Sequence, residues 1–191
     1  MGIKKSKRQG SAYYIDNFVQ SKCSADILMH GLFPNAKEIT ESYGALYAVG
    51  QNLGLDYNDQ NINLVCVGDG SAPRTAALFA FKSKWQCHSV DPALSAKPWE
   101  SKINRLQVYR EKIENVKLKF NGVVVIVCVH SHANLNDCYH SIDGTIKHVV
   151  TVPCCRPQYI KGIPHHIEYN DQDMWTPHNL VKIWKGLNAC S

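Results

Sequence analysis

The sequence predicts an α/β protein whose sheet is mostly parallel and covered by helices on both faces. Three observations predict it. Short strand-like runs recur at 62–67, 85–90, 123–129 and 149–152, and 62–67 and 123–129 are almost wholly Val, Ile, Leu and Cys, as strands buried on both faces require. Helical or irregular segments separate these runs, the alternation of strand and crossover that builds a parallel sheet. Gly68-Asp69-Gly70-Ser71 joins the first run to a helical segment, where open α/β sheets turn beside a ligand.

The elements follow in order. Residues 1–10 form a basic arm, read as disordered, with Lys4, Lys5, Lys7 and Arg8 and no apolar stretch of the kind a secretory leader has. Such an arm is either a solubilising tail or a phosphate-backbone contact with nucleic acid. Short helices are expected near 13–19 and 25–32. A longer one starts at Asn35, an N-cap with Glu38 three residues on. Ile39, Tyr43, Leu46, Tyr47, Gly50 and Leu53 continue it at helical spacing, and Gly54 closes it. Lys37, Glu41 and Ser42 mark its polar face, expected in solvent unless it reaches a ligand pocket.

Residues 55–61 are a polar connection to the first strand, 62–67. Gly68 and Gly70 allow a tight turn with no Cβ in the way. Pro73 suits the first turn of the next helix, whose inner face is Ala76, Ala77, Leu78 and Phe81. The second strand, 85–90, ends in Asp91, about twenty residues past the glycines, where such folds place an acid on ribose hydroxyls. An irregular segment holding Pro98 leads to a third strand, 105–109, and a short helix or turn at 111–116. The run 123–129 is followed by His130-Ser131-His132-Ala133-Asn134, and 149–152 by Pro153-Cys154-Cys155. Residues 166–169 and 180–184 read as a closing strand pair, although Thr176 and Pro177 would also suit a helix over the second.

Composition narrows the class. The 191 residues are 45% hydrophobic and 19% charged, which excludes a disordered chain. The formal net charge is +5, and the arm supplies four of those charges, so the remainder is close to neutral. No apolar run approaches the roughly eighteen residues of a membrane span. Of the eight cysteines, Cys66 and Cys128 fall inside buried strands as packing residues, which points to a reducing intracellular compartment, cytoplasmic or nuclear. His130, His132, Cys138, His140, Cys154, Cys155, His165 and His166 have no Cys-x-x-Cys spacing, and adjacent pairs suit one tetrahedral ion badly, so no metal is expected.

Ligands of such a sheet sit outside the carboxyl ends of the strands. The candidates are therefore Gly68 to Ser71, Asp91, Arg110 and Glu111, His130 to Asn134, and Pro153 to Arg156. A dinucleotide fingerprint would place a third glycine where Pro73 stands, which favours a different nucleoside ligand.

Val67-Gly68-Asp69-Gly70-Ser71-Ala72-Pro73 resembles motif I of the class I S-adenosylmethionine-dependent methyltransferases, and Asp91 falls on that family's motif II acid. Two later segments, Val129-His130-Ser131-His132-Ala133-Asn134-Leu135 and Val152-Pro153-Cys154-Cys155, are similar to the strand ends of a branch carrying His-Ala-Cys-Gly-Asp-Leu-like and Val-Pro-Cys-Cys motifs. The likeness spans roughly residues 62–155, about half the chain. It implies a Rossmann-like, seven-stranded sheet with a C-terminal antiparallel hairpin, and S-adenosylmethionine as cofactor. It assigns cofactor binding to Gly68, Asp69, Gly70, Ser71, Asp91, Pro92, Glu111 and His130. His130 is the first candidate for a general base and His132 the second, and strand alternation allows only one of them into the pocket.

Departures limit the likeness. The acid expected directly after the third strand is displaced to Glu111, no Asn-Pro-Pro-Tyr-like motif follows the fourth strand, and His130 stands where a ribose methyltransferase has aspartate. The expectation is a single methyltransferase-like unit over 11–191, with N-terminal helices over 11–54 and a Rossmann-like core over 55–191. It would act on RNA, reached through the basic arm, or on another macromolecule. The alternative is an inactive methyltransferase-like fold serving as a binding or structural subunit, as in a viral assembly.

Overall fold

The computed structural model describes residues 11–188, so the basic arm at 1–10 lies outside the described residues. The chain opens with α1 (Tyr13–Val19), α2 (Ser24–Met29) and α3 (Ala36–Asn52). Next come β1 (Asn63–Val67), α4 (Arg74–Lys82), β2 (Gln86–Val90), α5 (Trp99–Lys102), β3 (Leu106–Tyr109) and a 3-10 turn at Ile113–Asn115. The second half holds β4 (Leu118–Lys119), β5 (Val123–Val129), α6 (Leu135–Ser141), β6 (Ile142–Asp143), β7 (Ile146–Val152), β8 (Ile167–Asn170) and β9 (Leu180–Asn188).

Seven strands form one sheet in the order β3-β2-β1-β5-β7-β9-β8, and β4 pairs with β6 in a small parallel sheet. β1, β2, β3, β5 and β7 run parallel, while β9 is antiparallel to both β7 and β8. The expected α/β, Rossmann-like class and the closing antiparallel pair are therefore observed. The helix considered for 180–184 is instead strand β9, whose Val181, Ile183 and Trp184 are buried between its neighbours. One apolar layer packs α1 to α4 on a face of the sheet, and a second packs α6 and the 3-10 turn on the other.

Local chemistry explains the element ends. The Asn35 side chain accepts a hydrogen bond from the Glu38 amide at 3.0 Å and starts α3. Pro73 stands just before α4 rather than inside its first turn. β7 begins at Ile146, earlier than its apolar run, because buried Lys147 is accommodated by donating to the Tyr139 and Ile142 carbonyls at 3.1 and 3.3 Å. Trp85 is fully buried, stacked on Tyr57 and Phe79 at 5.0 and 5.8 Å, with its indole N–H donating to the Asp56 carbonyl. His88 on β2 lies against Phe120 at 4.9 Å, buried, with neither ring nitrogen hydrogen-bonded among the described residues. Burial pulls its pKa down to about 4.

The polar face of α3 is not solvated as expected. Thr40, Glu41 and Ser42 are buried because this helix packs beside the ends of β5 and β7 and against α4. Among the described residues, no helix is long and apolar enough to cross a membrane.

Candidate functional site

The order of strands reverses between β1 and β5, and the carboxyl ends of these strands frame a crevice. The turn after β1 forms its floor. Gly68 has φ +86°, and its amide donates to the Val90 carbonyl at 2.9 Å. A Cβ there would fall 2.9 Å from Ser131 Cα, so the loops after β1 and β5 touch at this point. Contact with Ser131, together with the left-handed backbone, is the local reason for glycine at this position. Gly70 has φ +79°, and its amide donates to Asp91 Oδ2 at 2.7 Å. Asp91 Oδ1 accepts from the Ala93 amide at 2.7 Å, so one carboxylate binds the glycine turn to the end of β2.

Asp69 points inward. Its carboxylate accepts from the Thr75 and Ala76 amides at 3.0 and 3.2 Å and from the Ser89 hydroxyl at 2.8 Å. Burial pushes its pKa up, and these hydrogen bonds oppose the rise. Its side chain is thus a cap on α4 rather than a group aimed at a ligand. Ser71 is exposed, with its carbonyl accepting from the Ser95 amide, and Pro92 is exposed in the turn beside it. Glu111 is exposed and accepts from Asn115 at 3.4 Å. Arg110 holds the segment leading to α5 through the Ser95 and Lys97 carbonyls and Glu100.

Three groups that no motif marks complete the crevice. Arg74 crosses the turn, donating to the Asp69 carbonyl at 2.6 Å and forming an ion pair with Glu38 of α3. A Cβ on Gly70 would lie 2.6 Å from its guanidinium, so Arg74 covers that glycine. Ser42 meets Thr75 at 3.0 Å. Glu41 lies 3.0 Å from Lys37 and 3.4 Å from His130 Nε2. Glu41 and Ser42 belong to the α3 face that the sequence reading leaves free to reach a pocket, and the i, i+3 spacing of Glu38 and Glu41 places Glu38 on the same stripe, whereas nothing in the sequence marks Arg74.

His130 and His132 part company, as alternation requires. His130 has φ +50°, with its amide on the Val152 carbonyl at 2.9 Å and its ring facing Glu41 and, at 6.4 Å, His178. Desolvation lowers its pKa, Glu41 opposes this, and Lys37 and His178 add to it. His132 is exposed, with Nε2 3.4 Å from Cys155 Sγ. Among the other metal-ligating residues weighed from sequence, Cys138 is buried in the core, His165 faces Glu168 at 3.3 Å, and His166 accepts from the Lys185 amide.

No protein-family model matches the chain, and no curated protein sequence matches it. Solved structures do. A single-site mutant of MtNAS in complex with S-adenosylmethionine superposes with TM-score 0.57 at 13% identity, over 91% of this chain and 70% of that one. MtNAS in complex with MTA and tNA gives 0.53 at 13%, over 92% and 69%. Phosphoethanolamine N-methyltransferase 1 of Haemonchus contortus, with phosphoethanolamine and S-adenosylhomocysteine, gives 0.50 at 10%, over 93% of this chain and 48% of that one. The chain shares with these structures a Rossmann-like α/β fold. At these identities the likeness is one of architecture, and the side chains above stand on their own geometry.

Proposed function

We propose that this protein binds S-adenosylmethionine in the crevice at the carboxyl ends of β1, β2 and β5 and transfers its methyl group to RNA or another macromolecule. The observation that carries the reading is the turn at Gly68 and Gly70, held at the strand-order reversal by Asp91. Solved structures of like fold that hold S-adenosylmethionine or S-adenosylhomocysteine support it.

The residues suit such a ligand. A carboxylate has about four acceptor sites, and the two backbone bonds to Asp91 leave capacity for two ribose hydroxyls. Arg74 and Glu38 offer opposite charges to the carboxylate and ammonium of an amino-acid end. When bound, the cofactor supplies an electrophilic methyl group on a sulfonium. His130 accepts the proton that an attacking nucleophile releases, and Glu41 orients its ring. With reactants held in line, this proton transfer is a modest part of the rate gain.

In the same reading the chain is one methyltransferase-like unit over 11–191, and the basic arm at 1–10, in the cytoplasm or a nucleus, meets RNA phosphates. One observation favours a second reading, a methyltransferase-like fold that binds without catalysis: the Arg74–Glu38 pair lies across Gly70, in the path of an amino-acid end. Calorimetric titration with S-adenosylmethionine, followed by tritium transfer from labelled cofactor to RNA and protein acceptors, tests both. Binding with transfer is expected. Binding without transfer to any acceptor favours the second reading, and absence of binding removes the proposal.

A further inference from the structure

Beside the crevice, at the ends of β5 and β7, a second group of side chains converges. The ligand atoms of His132, Cys154 and Cys155 all lie within 4.8 Å of one another. Cys154 Sγ is 3.5 Å from Cys155 Sγ, which is 3.4 Å from His132 Nε2. We propose that these three residues bind one zinc ion.

The geometry supports a single tetrahedral ion. Bonds of about 2.3 Å to sulfur and about 2.0–2.1 Å to nitrogen set tetrahedral edges of roughly 3.8 Å between sulfurs and roughly 3.6 Å between sulfur and nitrogen. The two close separations differ from these by only a few tenths of an ångström. Adjacent cysteines in an extended strand would point to opposite faces. Here the chain bends at 154–156, directly after Pro153, and brings both thiols to one side. Two thiolates and an imidazole select a soft or borderline d10 ion over magnesium or calcium.

The surroundings hold the ligands in place. β5 and β7 are in register up to the Val129–Val152 pair, and the His130 amide on the Val152 carbonyl continues that pairing into the loops. Gln158 Nε2 donates to the Ser131 and Ala133 carbonyls at 3.1 and 3.2 Å, clamping the backbone on either side of His132. A cleft of about 100 Å³ lined by His132, Asn134, Arg156 and Gln158 adjoins the cluster, with room for a water as fourth ligand. Gln158 is itself buried, and its Oε1 has no hydrogen-bond partner among the described residues, which supplies the acceptor such a water would need. On binding, each thiol releases one proton to solvent, and His132 lends the Nε2 lone pair while its remaining proton sits on Nδ1. The site Zn(Cys)2(His)(water) is then neutral. It staples the loop that carries His130 to the loop after β7, and Cys154 exchanges its contact with the His130 carbonyl, 3.6 Å, for the metal.

The test uses the full chain, stripped of metal and kept in a phosphine reductant. Zinc is titrated against a chromophoric chelator, and cobalt(II) is added separately and followed by absorption. One equivalent of zinc is expected, with a thiolate-to-cobalt charge-transfer band and intense tetrahedral d–d bands. Cys154→Ser, Cys155→Ser and His132→Ala should each weaken zinc by at least about tenfold, a loss that even an outer-shell partner causes. Cys23→Ser, remote from the cluster, should leave it unchanged. Absence of the charge-transfer band in the unaltered protein overturns the proposal without any variant. So does zinc affinity that is the same in Cys155→Ser as in the parent.

Discussion

Asp91 serves two backbone amides with one carboxylate, and its removal should be felt twice. Asp91→Ala removes the acceptor of the part-buried Gly70 amide, while water can replace it at the exposed Ala93 amide, so it should cost about 1 kcal/mol of stability. It should also weaken S-adenosylmethionine by roughly ten- to a hundredfold, with Asp91→Asn between. Melting temperature and calorimetric affinity on the same three proteins check this, and lost stability with intact affinity would reduce Asp91 to a brace. Gly68→Ala meets both a left-handed backbone and Ser131, and should lose about 2 kcal/mol or more in urea unfolding. Adding Ser131→Gly should return part of that loss, because it removes the side-chain share of the collision; no recovery would mean that backbone conformation alone demands glycine. His88 gives a pH signature. Its folded pKa of about 4 lies below the ordinary 6.5, so the unfolded chain binds the proton more readily. Its contribution is complete above pH 6.5 and is lost as pH falls toward 4, up to about 3 kcal/mol. Carboxylates add their own acid lability, so the measurement is the difference between parent and His88→Phe at pH 7 and pH 4.5. Equal slopes would show that the ring finds a partner when charged. At this scale Asp91 was legible because strand polarity alone puts it beside the glycines. Arg74 and Glu38 were not, since their pairing joins residues 36 positions apart whose neighbourhood only the folded chain creates.

Among the elements, α3 departs furthest from its sequence reading. Its existence, its Asn35 cap and its apolar stripe were all readable from spacing. The fate of its other stripe was not. Periodicity separates polar from apolar, and a polar residue is buried only where another polar group awaits it. The ends of β5 and β7 beside the start of α4 are such a place, and the helix delivers Glu38, Glu41 and Ser42 to Arg74, His130 and Thr75. In the proposed reaction Glu41, 3.4 Å from His130 Nε2, has the place of a positioning residue for His130. Glu41→Gln should lower kcat on the order of tenfold, while cofactor affinity and KM for the acceptor stay near the parent values. A fall in affinity with kcat intact would move Glu41 from positioning to binding. The shortened reading of β7 has the same origin, since Lys147 looks like a boundary until the α6 carbonyls that receive it are in place.

For the whole molecule, the alternation of strands and helices made the class legible, whereas the order β3-β2-β1-β5-β7-β9-β8 rests on non-local pairing that periodicity does not encode. The seven-strand count came from the resemblance. The arm belongs to this scale too, because it carries four of the five net charges. Deleting residues 1–10 should weaken RNA binding and reduce the slope of log affinity against log salt by up to about 3. An unchanged slope would leave the arm as a solubilising tail. The placement of β9 bears on synthesis. β8 is made before β9, yet among the described residues it pairs only with β9, which must slot between it and β7. Until residue 180 and its successors emerge, a nascent chain carries β7 as a bare edge and β8 with nothing to join. That edge presents Val149, Val150 and Val152, the kind of unpaired apolar strand that adheres to other chains. The parallel half can pair as it is made, but the sheet closes only when β9 fills its penultimate position.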